Sequence, residues 1–186
     1  EDPYVNLQGK VGFRGGETMG FLRAEYYLKA SALLNTYKLT RNGLIGSEYS
    51  TKLSPYLSLG CVGVRTCFSL FRDHEIAHGE NAGTRQFFME LGFRDYFIFW
   101  CRETNPRCFW LNGTIRKKRN VAWHWDINLF KRWIDGNTGF PFIDASMREM
   151  KMTGYSSNRS RQNIASFLIN NYGIDWRWGA IWSPGP

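Results

Sequence analysis

Between Glu17 and Gly173 the apolar residues recur three and four positions apart, and no stretch shows convincing apolar–polar alternation. That rhythm predicts an all-α fold, six or seven helices joined by long loops. Over 17–35, Phe21, Leu22, Tyr26, Leu33 and Leu34 keep helical spacing, broken mildly at Gly20. Asn42-Gly43 and Gly46 mark a loop. Ser54-Pro55 reads as an N-cap followed by proline at the first helical position, opening a short helix to about Leu59. Helices are expected over 64–78, ending at Gly79, and over 84–103, with Phe87, Phe88, Leu91, Phe97 and Ile98 on the apolar side. Residues 104–122 read as a loop. Asp126 caps a helix over 127–135 that stops at Gly136. Pro141 opens another to about Met152, and the last covers 158–172 and stops at Gly173.

A chain of 186 residues with 43% apolar side chains can bury a real core, so one domain over 1–186 is expected, not a disordered chain. Aromatic residues reach 17%, enough to pack large rings, stack a flat ligand or face a partner. The longest apolar run, Tyr96 to Cys101, falls far short of the roughly 18 residues a membrane span needs. Cys61, Cys67, Cys101 and Cys108 match neither a zinc spacing nor a redox pair and read as buried thiols; no metal site is expected. The net charge of +8 sits in the second half, where residues 94–186 carry 14 basic and 7 acidic side chains. A basic half attracts nucleic acid, phosphorylated ligands or an acidic protein, or else simply raises the pI.

Four segments carry polar chemistry. Tyr49-Ser50-Thr51-Lys52-Leu53-Ser54-Pro55 sets three hydroxyls and a lysine before a helix start, the composition of a pyrophosphate cradle or of a capped surface helix. Glu90 and Arg94, four apart, share a helix face and read as an exposed ion pair or, on a helix this aromatic, as the lining of a polar pocket inside the bundle. The run Thr138 to Glu149 follows, then Thr153 to Gln162. In the last, Arg159 and Arg161 sit at a helix start, where the dipole disfavours cations, so they are expected to face an anion or a carboxylate.

Taken in order, these segments resemble the C-terminal, FAD-binding helical domain of the photolyase/cryptochrome family, and most of all DASH-type cryptochromes. The matching motifs are Phe13-Arg14-Gly15-Gly16-Glu17-Thr18, Asn42-Gly43-Leu44-Ile45-Gly46, Tyr49 to Pro55, Leu59-Gly60-Cys61, Phe93-Arg94-Asp95-Tyr96-Phe97, Thr138-Gly139-Phe140-Pro141 and Ser157-Asn158-Arg159. Ala165-Ser166-Phe167-Leu168 and Ile174-Asp175-Trp176-Arg177 complete the series, which covers nearly the whole chain.

The resemblance implies FAD as cofactor, bound or since lost. It places Tyr37, Ser50, Thr51, Lys52, Leu53 and Ser54 at the flavin phosphates, Arg94 in the flavin-site helix, and Asn158 and Arg161 beside the isoalloxazine. In an active member Glu90 would position the lesion, and Trp123 and Trp176 would be the outer and middle members of the tryptophan relay. Departures are also visible. The family's N-terminal α/β domain and its C-terminal helices lie outside this sequence, Phe93 stands where repair members carry a base-stacking tryptophan, and Gln86 stands where DASH members carry another. Two functions follow as expectations. One is a truncated, non-catalytic accessory subunit of a larger assembly, whose open apolar face is covered by protein partners. The other is the FAD-binding part of a DASH-type protein that transfers electrons to pyrimidine dimers in DNA as a photolyase-type lyase, or senses blue light. Nucleic acid is a third partner class, through the basic half and the run Arg116 to Arg119. A plastid or mitochondrial address is expected, with nucleus or cytoplasm as alternatives.

Overall fold

The computed structural model describes residues 13–114 and 122–182. They gather into two compact units, the first ending at Phe93 and the second beginning at Arg94. Nine α-helices occur among the described residues: α1 (Glu17–Glu25), α2 (Leu33–Thr40), α3 (Ser54–Ser58), α4 (Val64–His78), α5 (Ala82–Thr104), α6 (Ile127–Ile134), α7 (Pro141–Thr153), α8 (Asn158–Ser166) and α9 (Trp176–Trp182). No strand forms among them; a single parallel bridge joins His124 to Ile174. The all-α expectation holds.

The first unit departs from the expected single helix over 17–35. After α1 the chain widens into a π turn, Tyr26–Ala30, closed by Ser31 N donating to Tyr26 O at 2.9 Å. Ser31 is extended, at φ −100° and ψ 159°, so α2 starts afresh. The wider turn sinks the consecutive residues Tyr27 and Leu28 into the core, which regular α spacing does not favour. Gly20 is a packing site rather than a weak point: a Cβ there would lie 2.6 Å from Val62 and 2.8 Å from Tyr56. Ala24, Tyr27, Leu28, Leu34, Tyr56, Cys67, Phe71 and Phe87 are among the core residues that α1, the π turn, α2, α3, α4 and the first half of α5 share. The thiols were expected to be buried, but only Cys67 is; Cys61, Cys101 and Cys108 are half-buried, and none of the four forms a disulfide.

Asn81 joins three helices of this unit. Its Oδ1 accepts from Gly83 N and Thr84 N at the start of α5, and its Nδ2 donates to Asn35 Oδ1 on α2 at 2.7 Å. The same Asn35 oxygen lies 2.8 Å from His74 Nε2 on α4, so His74 donates through Nε2; its buried Nδ1 has no partner among the described residues. Gly83 permits this junction, because a Cβ there would meet Leu34 O at 2.1 Å.

The second unit builds its core from Phe130, Trp133, Ile143, Met147, Met150, Ile164, Phe167, Leu168 and Ile174. Its helix ends follow local signals. Asp126 Oδ1 accepts from Asn128 N at 2.8 Å and Leu129 N at 3.0 Å, as expected. Pro141 begins α7, and Gly154, at φ 70°, ends it. The helix expected over 158–172 is α8 followed by a second π turn, Phe167–Asn171. One further expectation fails along α5: Phe87 and Leu91 are buried, but Phe88 and Phe97 are 53% and 57% exposed.

Candidate functional site

The hydroxyl-rich loop of the first unit is shaped by a buried arginine. Arg23, fully buried on α1, donates through Nη2 to Ser47 O at 2.7 Å and Ser50 O at 3.1 Å, and through Nε to Thr51 O at 2.9 Å. Its guanidinium lies 5.3 Å from the Tyr27 ring centroid and 5.7 Å from that of Tyr26. Three backbone carbonyls thus turn inward on one cation, which leaves the Ser50 and Thr51 side chains half-buried at the surface and Ser54 exposed. Thr51 Oγ1 accepts from Leu53 N.

The cradle differs from its sequence reading in three places. Leu53, not Ser54, is the N-cap of α3; no side chain caps it, and the helix is five residues long. A helix this short brings little dipole to an anion. Lys52 is 2% exposed, adopts φ 58°, and rests its Nζ 3.1 Å from the Tyr49 ring centroid. Leu53 and Tyr37 belong to the core, Tyr37 packing edge-on against Tyr27 and Phe87. The hydroxyls of Ser50, Thr51 and Ser54 are therefore the loop's accessible donors.

Glu90 does not pair with Arg94. Its Oε1 accepts from Arg41 Nη1 at 2.7 Å and from Gln86 Nε2 at 3.0 Å. Arg94 instead donates to its neighbour Asp95 at 2.9 Å. Arg41 reaches Glu90 across 49 residues of sequence, so no local spacing announced it.

In the second unit, Asn158 is the exposed first residue of α8 behind the cap Ser157, whose Oγ accepts from Ser160 N at 3.0 Å. Arg159 donates to Gln162 Oε1 at 3.1 Å. Arg161 lines a cavity of about 240 Å³ with Trp133, Ile164, Leu168 and Trp176 among its walls. Its Nε is buried and has no hydrogen-bond partner among the described residues, and no carboxylate there pairs with it. Trp123 and Trp176 are both half-buried. Ring contacts among the described residues follow another line: Trp125 to Trp178 at 5.6 Å, Trp178 to Phe130 at 5.1 Å, Phe130 to Trp133 at 5.8 Å, and Trp133 to Trp182 at 5.3 Å. The basic run Arg116 to Arg119 lies outside the described residues.

Two buried carboxylates set the electrostatics around these elements. Burial pushes Asp144 up, but hydrogen bonds from Thr138 Oγ1, Thr138 N and Gly139 N outweigh it and hold the carboxyl below its ordinary value. Asp175, at the start of α9, is opposed by burial in the same way and is lowered by a two-pronged bond from Arg177, with Nη2 at 2.6 Å.

Residues 87–183 match the family model described as the FAD binding domain of DNA photolyase. The chain is 44% identical over 181 residues to a cryptochrome DASH of Danio rerio, covering 97% of this chain and 34% of that protein. It is 46% identical over 172 residues to a chloroplastic/mitochondrial cryptochrome DASH of Ostreococcus tauri, covering 92% of this chain and 31% of the relative. The crystal structure of a Synechocystis cryptochrome superposes with a TM-score of 0.91 at 40% identity, covering 98% of this chain and 38% of that one. The chain thus spans about a third of the length of the curated relatives it matches.

Proposed function

This chain belongs to the photolyase/cryptochrome family through its FAD-binding helical domain, and on that premise we propose that it holds the flavin of a DASH-type protein. Arg161 carries the reading. A guanidinium N–H buried beside Trp133 and Trp176 without an acceptor is a costly arrangement unless a ligand supplies one. A flavin ring offers both carbonyl and ring-nitrogen acceptors and a flat apolar face. In this reading Ser50, Thr51 and Ser54 hold the phosphates, while Asn158 and Arg161 orient the ring. When bound, FAD supplies light absorption and one-electron chemistry. The protein's own task is to bind, to orient and to keep water out. Glu90, fixed by Arg41 and Gln86, stays a positioned acceptor for a substrate group.

A second reading, an accessory subunit without catalysis, is supported by the aromatic exposure along α5, where Tyr96, Phe97 and Phe99 are 59%, 57% and 65% exposed. Rings this open ask for a covering surface. The organellar name of the Ostreococcus relative supports a plastid or mitochondrial address.

Titration of FAD into the purified chain, followed by flavin fluorescence and the visible band, tests the first reading. Near one flavin per chain is expected, with the Ser50→Ala/Thr51→Ala double variant binding about tenfold or more weakly, a loss of about 1.4 kcal/mol or more. A folded chain that takes no flavin, and that co-purifies in fixed ratio with other proteins, would favour the accessory subunit.

A further inference from the structure

The junction that Asn81 makes with α2 and α4 contains a titratable group that the flavin reading does not use. His74 on α4 is 1% exposed. Its Nε2 donates to Asn35 Oδ1 at 2.8 Å, the oxygen that also accepts from Asn81 Nδ2 at 2.7 Å. Its Nδ1 is buried with no acceptor among the described residues. The exposed His78, one turn on, lies over it: the two rings stack with centroids 4.4 Å apart, and His78 Nδ1 donates to His74 O at 3.2 Å. Only a neutral ring fits this setting. A proton added at Nδ1 would bring a charge and a donor into a buried site with no acceptor for it. Charges on the surrounding elements do not offset it. On α4, His78 opposes a charge on His74; Glu75 favours one less strongly and is itself engaged by Arg72. Lys38, the charged residue of α2, is exposed and is another cation. Lys29 of the π turn pairs with Asp73 at 2.9 Å, and Glu80 and Arg85, either side of the start of α5, pair with each other at 2.8 Å.

We propose that His74 is a proton-operated latch: neutral, it ties α2 and the start of α5 to α4 through Asn35; protonated, it swings out of the junction and releases the start of α5. In the open form the imidazolium is hydrated. Asn35 Oδ1 loses one of its two donors and turns to water, which leaves Asn81 without a fixed partner. The bonds from Gly83 N and Thr84 N to Asn81 Oδ1 then open with it. The closed form holds His74 below its ordinary 6.5, through burial first and the charge of His78 second, so opening takes up a proton. Opening is therefore favoured by about tenfold for each pH unit below 6.5, and levels off below the closed-state value. The same two helices are joined by Arg41, at the end of α2, and Glu90 on α5, so the latch acts on the frame that positions Glu90.

Amide hydrogen exchange of the chain between about pH 7.5 and about pH 5, corrected for the intrinsic pH dependence of exchange, tests this. Protection of Gly83 and Thr84 is expected to fall by up to about tenfold per pH unit below 6.5, while Leu28, buried in the core of the same unit, keeps its protection. Nitrogen NMR of the His74 imidazole is expected to show a neutral ring at about pH 7.5 with its proton on Nε2. His74→Gln keeps an N–H donor for Asn35 and takes up no proton, so its protection at Gly83 and Thr84 is expected not to vary with pH. Unchanging protection in the parent chain, an equal fall at Leu28, or a fall that persists in His74→Gln would each overturn the proposal. So would a ring that is charged at about pH 7.5, or that carries its proton on Nδ1, a result read on the parent chain even if the variant fails to fold.

Discussion

Each unit contains an arginine set among aromatic rings, and the two are used in opposite ways. Arg23 in the first unit spends its donors on Ser47, Ser50 and Thr51 carbonyls and so holds a loop in shape. Arg161 in the second has a buried Nε with no partner among the described residues. A buried guanidinium that is satisfied belongs to the fold; one that is left open points to something the fold does not itself provide. The hydroxyl-bearing loop is thus shaped by packing within its own unit, while Arg161 keeps one donor open.

Replacing each arginine by methionine breaks or sharpens that contrast most strongly. Arg23→Met strands three carbonyls and is expected to destabilise the first unit by about 3–5 kcal/mol. Arg161→Met is expected to leave stability within about 1 kcal/mol of the parent, or raise it, while weakening flavin binding. All eight tryptophans lie in the second unit, so tryptophan fluorescence follows that unit and far-UV circular dichroism follows both. Equal losses of stability in the two variants would erase the distinction between them.

A smaller effect concerns the helix starts. The helices α1 to α4 and α7 have no side-chain N-cap, whereas side chains of Asn81, Asp126 and Ser157 accept from the first N–H groups of α5, α6 and α8. Asp126→Ala should cost about 1 kcal/mol, read as a lower urea midpoint by tryptophan fluorescence.

The smallest expected effect is a difference in acid response. Burial first, then the charge of His78, lowers His74 below its ordinary 6.5, against a smaller opposing pull from Glu75. The folded first unit therefore binds that proton less tightly than the unfolded chain does. Stability present above pH 6.5 is lost as pH falls toward the folded value. In the second unit Asp144 and Asp175 are held below 3.8, so their contribution persists above that pH and is lost as pH falls through their folded values. On acidification circular dichroism should begin to change before tryptophan fluorescence does. Simultaneous onset would count against separate acid responses.

What could be read in the sequence was local. Asp126, Pro141 and Gly79 mark helix ends through their own backbone chemistry, and the structure keeps each. The ordered motifs also pointed to the family. Long-range choices were hidden. Arg23 sits between Leu22 and Ala24 on a predicted amphipathic helix, and nothing nearby says that its head reaches carbonyls 24 to 28 residues on. Glu90 had a suitable cation four residues away and took Arg41 instead. Phe97 kept helical spacing and remained exposed, because periodicity finds a face without saying what covers it. At the cradle, helical spacing could not show that Lys52 would fold back on Tyr49.

The two π turns, closed by Ser31 N to Tyr26 O and by Tyr172 N to Phe167 O, each hold one residue more than an α turn would. Geometrically each is one extra residue confined to a single turn. One added residue in a continuous α-helix would rotate everything beyond it by about 100°. Here it is stored as a local bulge, so α1 and α8 can keep their packed faces. Removing one residue from Tyr26–Ala30 or Phe167–Asn171 is then the length change that an α-helical turn would accommodate, and these are the places where relatives of different length could differ without rebuilding a core.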